Sequence, residues 1–173
     1  MKIINENSLL NLIQNKVSSY ENLLMVGPSK INELNCLDDE KVIKEVHLNL
    51  KEIFSFVKTH SLTLMKRRIG TIAFFINAST LEGGEMIYSP VYNSAIKSFM
   101  KSLAKEMNPF HVNVICITLP LTRMKKSTRK YDLVTLKYKG ESIEEQVVDV
   151  LKLIDIAEVL NGQIISLGTD LDL

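Results

Sequence analysis

The sequence predicts one α/β domain, a parallel sheet held between two layers of helices. Two observations carry that prediction. Apolar, β-branched or aromatic runs alternate along the chain with longer segments whose apolar residues recur three and four apart, and strands separated by helices of more than about 10 residues pair in parallel. The runs at 71–76 and 112–119 are apolar without alternation, which marks strands covered on both faces. Length agrees: 173 residues at 46% apolar supply one core and one domain, taken as the whole of 1–173.

The elements follow in order. Residues 1–4 are a short apolar strand candidate, and Asn7 or Ser8 can cap a helix running to about residue 17 with Leu9, Leu10, Leu12 and Ile13 on one side. A buried strand at 23–26 ends at Gly27-Pro28. Asp38 and Asp39 sit where carboxylates favour a helix N-terminus, and Val42, Ile43, Val46, Leu50, Ile53 and Val57 continue at helical spacing to Met65 or beyond. Lys66-Arg67-Arg68 and Gly70 precede the strand at 71–76, and the small, polar 77–84 segment reads as a loop. Pro90 opens a second long helix, with Val91, Ala95, Phe99 and Leu103 four apart and Ile96, Met100 and Met107 beside them. Pro109 stops it, and the strand at 112–119 closes at Pro120. Residues 121–141, rich in Lys, Arg, Thr and Ser, suggest a mobile connection or a lid. The spacing of Val147, Val150, Leu151, Ile154 and Ala157 predicts a helix over 143–160, and Gly162 separates it from a last strand at 163–167. Crossovers between parallel strands are expected to be right-handed throughout.

Bulk properties exclude several functions. A formal net charge of +1 gives no footprint for nucleic acid or an anionic membrane surface. Cys36 and Cys116 stand far apart, and no charged-then-apolar leader precedes Asn5, so a reducing, cytoplasmic setting is expected. No apolar stretch approaches the roughly 20 residues that cross a bilayer. His47, His60 and His111 have no ligand spacing with each other or with either cysteine, so no metal is expected. Gly83-Gly84 lacks the strand-to-helix context of a phosphate cradle.

Specific stretches carry a family resemblance. They are Val46-His47-Leu48-Asn49-Leu50 with Leu64-Met65 and Gly70-Thr71-Ile72; Asn77 to Thr80; Ser102-Leu103-Ala104-Lys105-Glu106-Met107 with Val112-Asn113-Val114; Pro120-Leu121-Thr122; and Asn161-Gly162-Gln163-Ile164-Ile165 with Gly168. In this order they resemble the C-terminal two-thirds of a short-chain dehydrogenase/reductase, nearest to the β-ketoacyl carrier-protein reductases. The resemblance implies a Rossmann-like three-layer fold. A dinucleotide site of that type needs a first strand, a Gly-rich turn and a helix N-terminus that holds the pyrophosphate. Residues 1–22 contain no glycine, and the family's Asn-Asn-Ala-Gly is replaced by Val26-Gly27-Pro28-Ser29. The expectation is therefore a truncated fold, lacking the first strands and the cofactor loop and binding no cofactor. The exposed edge this would leave at 23–26 is expected to be covered by residues 1–4 or by a partner.

The resemblance also implies a catalytic set: a tyrosine that exchanges a proton, a lysine one turn later that lowers its pKa, a serine and an asparagine. Anchored on Ser102 to Glu106, the tyrosine and lysine positions hold Ser89 and Asn93. A shift of one residue brings in Tyr88 and Tyr92, still with no cation beside the phenol. Lys97 lies about 140° around a helix from Tyr92. Asn49 matches the asparagine, and Ser79 is the nearest candidate for the serine. No catalytic residue is expected from these positions. The plainer reading makes Asn49 a bond across the sheet, Ser79 a loop cap, and Tyr88 and Tyr92 packed rings with wet hydroxyls.

The helices at 39–65 and 90–107 carry more apolar surface than one sheet face uses, with Ile43, Leu50, Phe54, Phe99 and Met100 as the excess. In the family such helices form a four-helix interface, and about 800 Å² per partner suffices. The expected function is a non-catalytic, dimerising structural or regulatory subunit, paired with itself or with an intact reductase in fatty-acid, polyketide or other secondary metabolism. Lys125, Lys126, Arg129 and Lys130 form a solvated loop face or a contact for an acyl carrier protein. The alternative is an atypical reductase or dehydratase/isomerase acting on an acyl thioester through Tyr88 or Tyr92 with Asn49 and Ser79, and only that version calls for NADP. A third reading is a ligand-binding module whose 121–141 segment closes over an acyl group.

Overall fold

A computed structural model describes residues 1–5, 8–16, 21–29, 39–77, 90–119, 143–156 and 160–167. The strands are β1 (Lys2–Ile4), β2 (Leu23–Val26), β3 (Gly70–Asn77), β4 (Val112–Leu119) and β5 (Ile164–Ser166). The helices are α1 (Ser8–Lys16), α2 (Asp39–Arg67), α3 (Pro90–Met107) and α4 (Ile143–Ile156). The expected lid at 121–141 and the basic cluster within it lie outside the described residues.

All five strands are parallel and stand side by side in chain order, β1-β2-β3-β4-β5. β3 and β4 form the centre, paired over their full length from Gly70 opposite Val112 to Asn77 opposite Leu119. Their side chains are buried on both faces, as their unbroken apolar sequences demand. β1 covers the outer edge of β2, with Ile3 opposite Met25. It is three residues long and exposes Lys2, and a short strand bearing lysine discourages further edge pairing.

Alternation along the strands divides the interior into two cores. Leu24, Val26, Ile72, Phe74, Ile76, Val114 and Cys116 face α2 and α3, meeting Ile53, Val57, Ile96 and Met100. Leu23, Met25, Ala73, Phe75, Ile115 and Ile117 face the other way, onto Leu10 and Ile13 of α1 and Val147, Val148 and Leu151 of α4. The result is the expected three-layer α/β arrangement.

Uniform right-handed crossovers, expected from the alternation of elements, are corrected by this arrangement. The chain advances across the sheet in one direction from β1 to β5, yet α2 and α3 lie on one face and α1 and α4 on the other. A crossover's hand is set by its direction and by the face its helix takes. The α1 and α4 connections therefore have the opposite hand to the α2 and α3 connections, so one of the two pairs departs from the general preference. The physical reason is burial: α1 and α4 pack against each other and cover the second sheet face. Leaving that face open would cost about 25 cal/mol for each Å² of apolar surface exposed.

The dimer residues expected from sequence divide. Ile43 and Phe54 are exposed on α2, while Leu50 and Phe99 are half-buried. Met100 is fully buried in the core and is not surplus surface; it lies one residue further round α3 and points at the sheet. Phe54 and Phe99 meet with ring centroids 4.4 Å apart, and Phe99 abuts Phe74 edge-on at 5.8 Å. At the opposite end of α3, Asn161 ties three elements together. Its side-chain oxygen accepts from Val114 N at 2.8 Å, and its amide nitrogen lies 3.3 Å from the Ala104 carbonyl and 3.2 Å from Asn108 Oδ1.

Candidate functional site

Ligands of open parallel sheets gather beyond the carboxyl ends of the strands, and the residual family positions come together there. β1 ends at Ile4, and Asn5 turns the chain with φ 55. Asparagine tolerates that left-handed conformation better than other residues bearing a Cβ. The turn directs the Asn5 side chain onto α2 and α3. Its Nδ2 donates to Asn49 Oδ1 at 3.2 Å, and its side chain also hydrogen-bonds the Tyr92 hydroxyl. The Tyr92 hydroxyl in turn donates to the Gly27 carbonyl at 3.4 Å. A continuous polar chain thus runs Asn49, Asn5, Tyr92, Gly27, linking α2, β1, α3 and the end of β2.

Gly27 permits this closure. Its N–H donates to the Ile4 carbonyl at 2.9 Å, which brings the two backbones together. A Cβ on residue 27 would lie 2.0 Å from the Asn5 oxygen and 2.9 Å from Leu10 Cδ1. Only glycine fits. The next family position is engaged as well: Asn93 Nδ2 donates to the Asn77 carbonyl at 3.0 Å, holding the first turn of α3 to the end of β3.

Burial decides what these groups can do. Tyr92 is fully buried, which corrects the expectation of a wet hydroxyl: the first turn of α3 faces inward, against β2 and β3. Burial drives its pKa upward, the Asn5 hydrogen bond opposes the rise, and Cys116 adds to it. Such a phenol holds its proton, the reverse of what a proton-exchanging tyrosine needs. Cys116, buried in the same core, is pushed up to about 12 from an ordinary 9.0 by burial, with the charge of Lys97 pulling the other way. Both groups keep protons in the folded chain that the unfolded chain gives up. Stability carried by them is therefore complete below about pH 9 and falls as pH rises toward 12. Urea unfolding midpoints measured from pH 8 to 11 should decline steadily above 9; a flat profile would contradict the burial of these groups.

Ser79, Tyr88 and Ser89 lie outside the described residues. Asn5 and Gly27 were not singled out from sequence. Their signals were faint: an asparagine directly after a short strand, and a glycine that also served as a strand stop. The dinucleotide fit can be tested at the same place. β1 passes to α1 through Asn5-Glu6-Asn7, three residues with a carboxylate and no glycine. A pyrophosphate site of the family's type needs a glycine turn for close backbone approach, and glycine is absent from this stretch of sequence. Among the described residues, no cluster of three His, Cys, Asp or Glu side chains could hold a metal ion, and no helix is long and apolar enough to cross a membrane.

Comparison with known proteins agrees with this geometry. The short chain dehydrogenase family model matches residues 13–132. No curated protein matches the chain. Among solved structures, a short-chain type dehydrogenase/reductase from Mycobacterium ulcerans superposes with a TM-score of 0.63 at 18% identity, over 94% of this chain and 65% of that one. A protein from Thermus thermophilus gives 0.60 at 15% identity, over 94% and 75%. A halohydrin dehalogenase bound to ethyl (2S)-oxiran-2-ylacetate gives 0.59 at 15% identity, over 95% and 74%. The chain thus spans about two-thirds to three-quarters of the length of these neighbours. At such identities the likeness is one of fold.

Proposed function

The chain belongs to the short-chain dehydrogenase family, and from that premise we propose that it is a non-catalytic member whose role is to pair, with itself or with an intact reductase that it stabilises or regulates. One observation carries the reading. Asn49, Tyr92 and Asn93 each make their hydrogen bonds to the protein's own groups, and the Asn5 to Gly27 contact fills the space between them. The missing glycine between β1 and α1 in the sequence and the proton-retaining phenol support the absence of cofactor and of turnover.

Pairing is supported by the outer faces of α2 and α3. Ile43, Leu50 and Phe54 recur at intervals of seven and four on α2, and Val91, Ala95 and Phe99 recur every four residues on α3. The Phe54 and Phe99 rings join the two stripes, and Ile43 and Val91 are more than 60% exposed. Contiguous apolar surface of this kind marks an interaction site. Sedimentation velocity at micromolar concentration tests the proposal. A dimer, or a mixed species when an intact carrier-protein reductase is added, supports it; a strict monomer in both experiments contradicts it.

A further inference from the structure

A second site lies at the opposite end of the sheet. Beside the amino ends of β1 and β2 is a cleft of about 150 Å³ whose polar lining comes from Lys2, Glu21, Asn22, His60, Thr63 and Arg67 and whose remaining wall is apolar, from Met1, Leu23, Leu24 and Leu64. A cavity of that order accepts a benzene-sized guest, so a tetrahedral oxyanion fits. Residues 60, 63 and 67 share one face of α2, which brings an imidazole, a hydroxyl and a guanidinium to the lining of the same cleft. The donors are pre-set: Arg67 Nη1 is anchored on Asn22 Oδ1 at 2.8 Å, and the His60 ring stands edge-on to Phe56 at 4.6 Å. Lys2 and Arg67 outnumber the carboxylate of Glu21, and neither cation forms an ion pair among the described residues.

We propose that this cleft binds a small dianion of the phosphate class between Lys2, His60 and Arg67. The arrangement supplies two fixed positive charges and several convergent donors around a pocket-sized space, which is what a doubly charged oxyanion selects. The site is separate from the Asn5–Tyr92 chain and does not depend on the pairing role. His60 provides a reporter. Burial, with the charge of Lys2 adding, holds its pKa below the ordinary 6.5, and an anion beside it should raise it again. The charged groups that line the cleft with His60 are Lys2 and the Met1 ammonium, Glu21 from the turn before β2, and Arg67 on α2 itself.

The test follows the His60 ring resonances by NMR during titration with inorganic phosphate and with sulfate, at ionic strength held constant with chloride. Saturable binding with a raised His60 pKa is expected for both anions. Lys2→Gln and Arg67→Gln, at exposed positions, should each weaken binding about tenfold, while Lys101→Gln on the outer face of α3 leaves it unchanged. Glycerol 3-phosphate separates the two sources of the group: tighter binding than phosphate assigns an organic phosphomonoester, and equal binding assigns the free anion. Shifts that fail to saturate, that chloride reproduces, or that survive both substitutions would overturn the proposal.

Discussion

Gly27→Ala is expected to destabilise the protein by about 3 kcal/mol or more, a loss on the scale of severe overpacking. The added methyl group would sit 2.0 Å from the Asn5 oxygen, and the obstacle is backbone rather than the flexible end of a side chain. Relief requires β1 to move away from β2. That movement would break the Gly27 to Ile4 hydrogen bond and pull Asn5 from Asn49 and Tyr92. Urea unfolding followed by circular dichroism should show a midpoint well below that of the parent, with little change in slope. Tyr92→Phe is the comparison. It removes the hydroxyl and leaves the Gly27 carbonyl without that donor, so its cost should be smaller, about 1–2 kcal/mol. Equal stability of Gly27→Ala and the parent would mean that β1 does not close on Gly27.

The second large effect is expected at the outer helical faces. Phe54→Glu should convert a micromolar dimer to monomer, because an aromatic anchor at the centre of an interface commonly carries about 2 kcal/mol or more, about thirtyfold in affinity. A buried carboxylate without a partner adds to the penalty. Phe54 is 41% exposed in the single chain, so the substitution leaves the core largely intact, and the melting temperature of the monomer should stay near that of the parent under dissociating conditions. Ser55→Glu, on the neighbouring exposed position, serves as control and should leave the dimer in place. A parent protein that sediments as a monomer, or a Phe54→Glu protein that still pairs, would remove this face as the interface.

Much of the fold was legible because its signals are local. The β-branched and aromatic runs at 71–76 and 112–119 define the two central strands, and Pro90, Pro109 and Gly162 punctuate the helices and the last strand close to where they stand in the structure. The hand of the α1 and α4 crossovers was not legible. Nothing within residues 8–16 says which face of the sheet the helix will take; that is decided by α4, more than a hundred residues away. Met100 was misplaced for a similar reason, since one residue of rotation along a wide apolar stripe separates core from surface. At the site, Asn93 could be picked out by its spacing from Ser102 to Glu106, Tyr92 by a shift of one residue from that register, and Asn49 by the Val46 to Leu50 stretch. Asn5 could not: its role rests on a backbone turn and on two partners that meet only when α2 and α3 fold over the sheet.

The central proposal is that this family member, whose described polar site residues hydrogen-bond the protein's own groups, seats no nicotinamide. Thermal unfolding with and without NADPH at high concentration tests it most directly. A cofactor present at about 100 times its Kd would add roughly 2.7 kcal/mol to the stability of the folded chain, a shift of several degrees for a domain of this size. The account predicts no shift with NADPH or NADH. A saturable rise in melting temperature with either cofactor would contradict it.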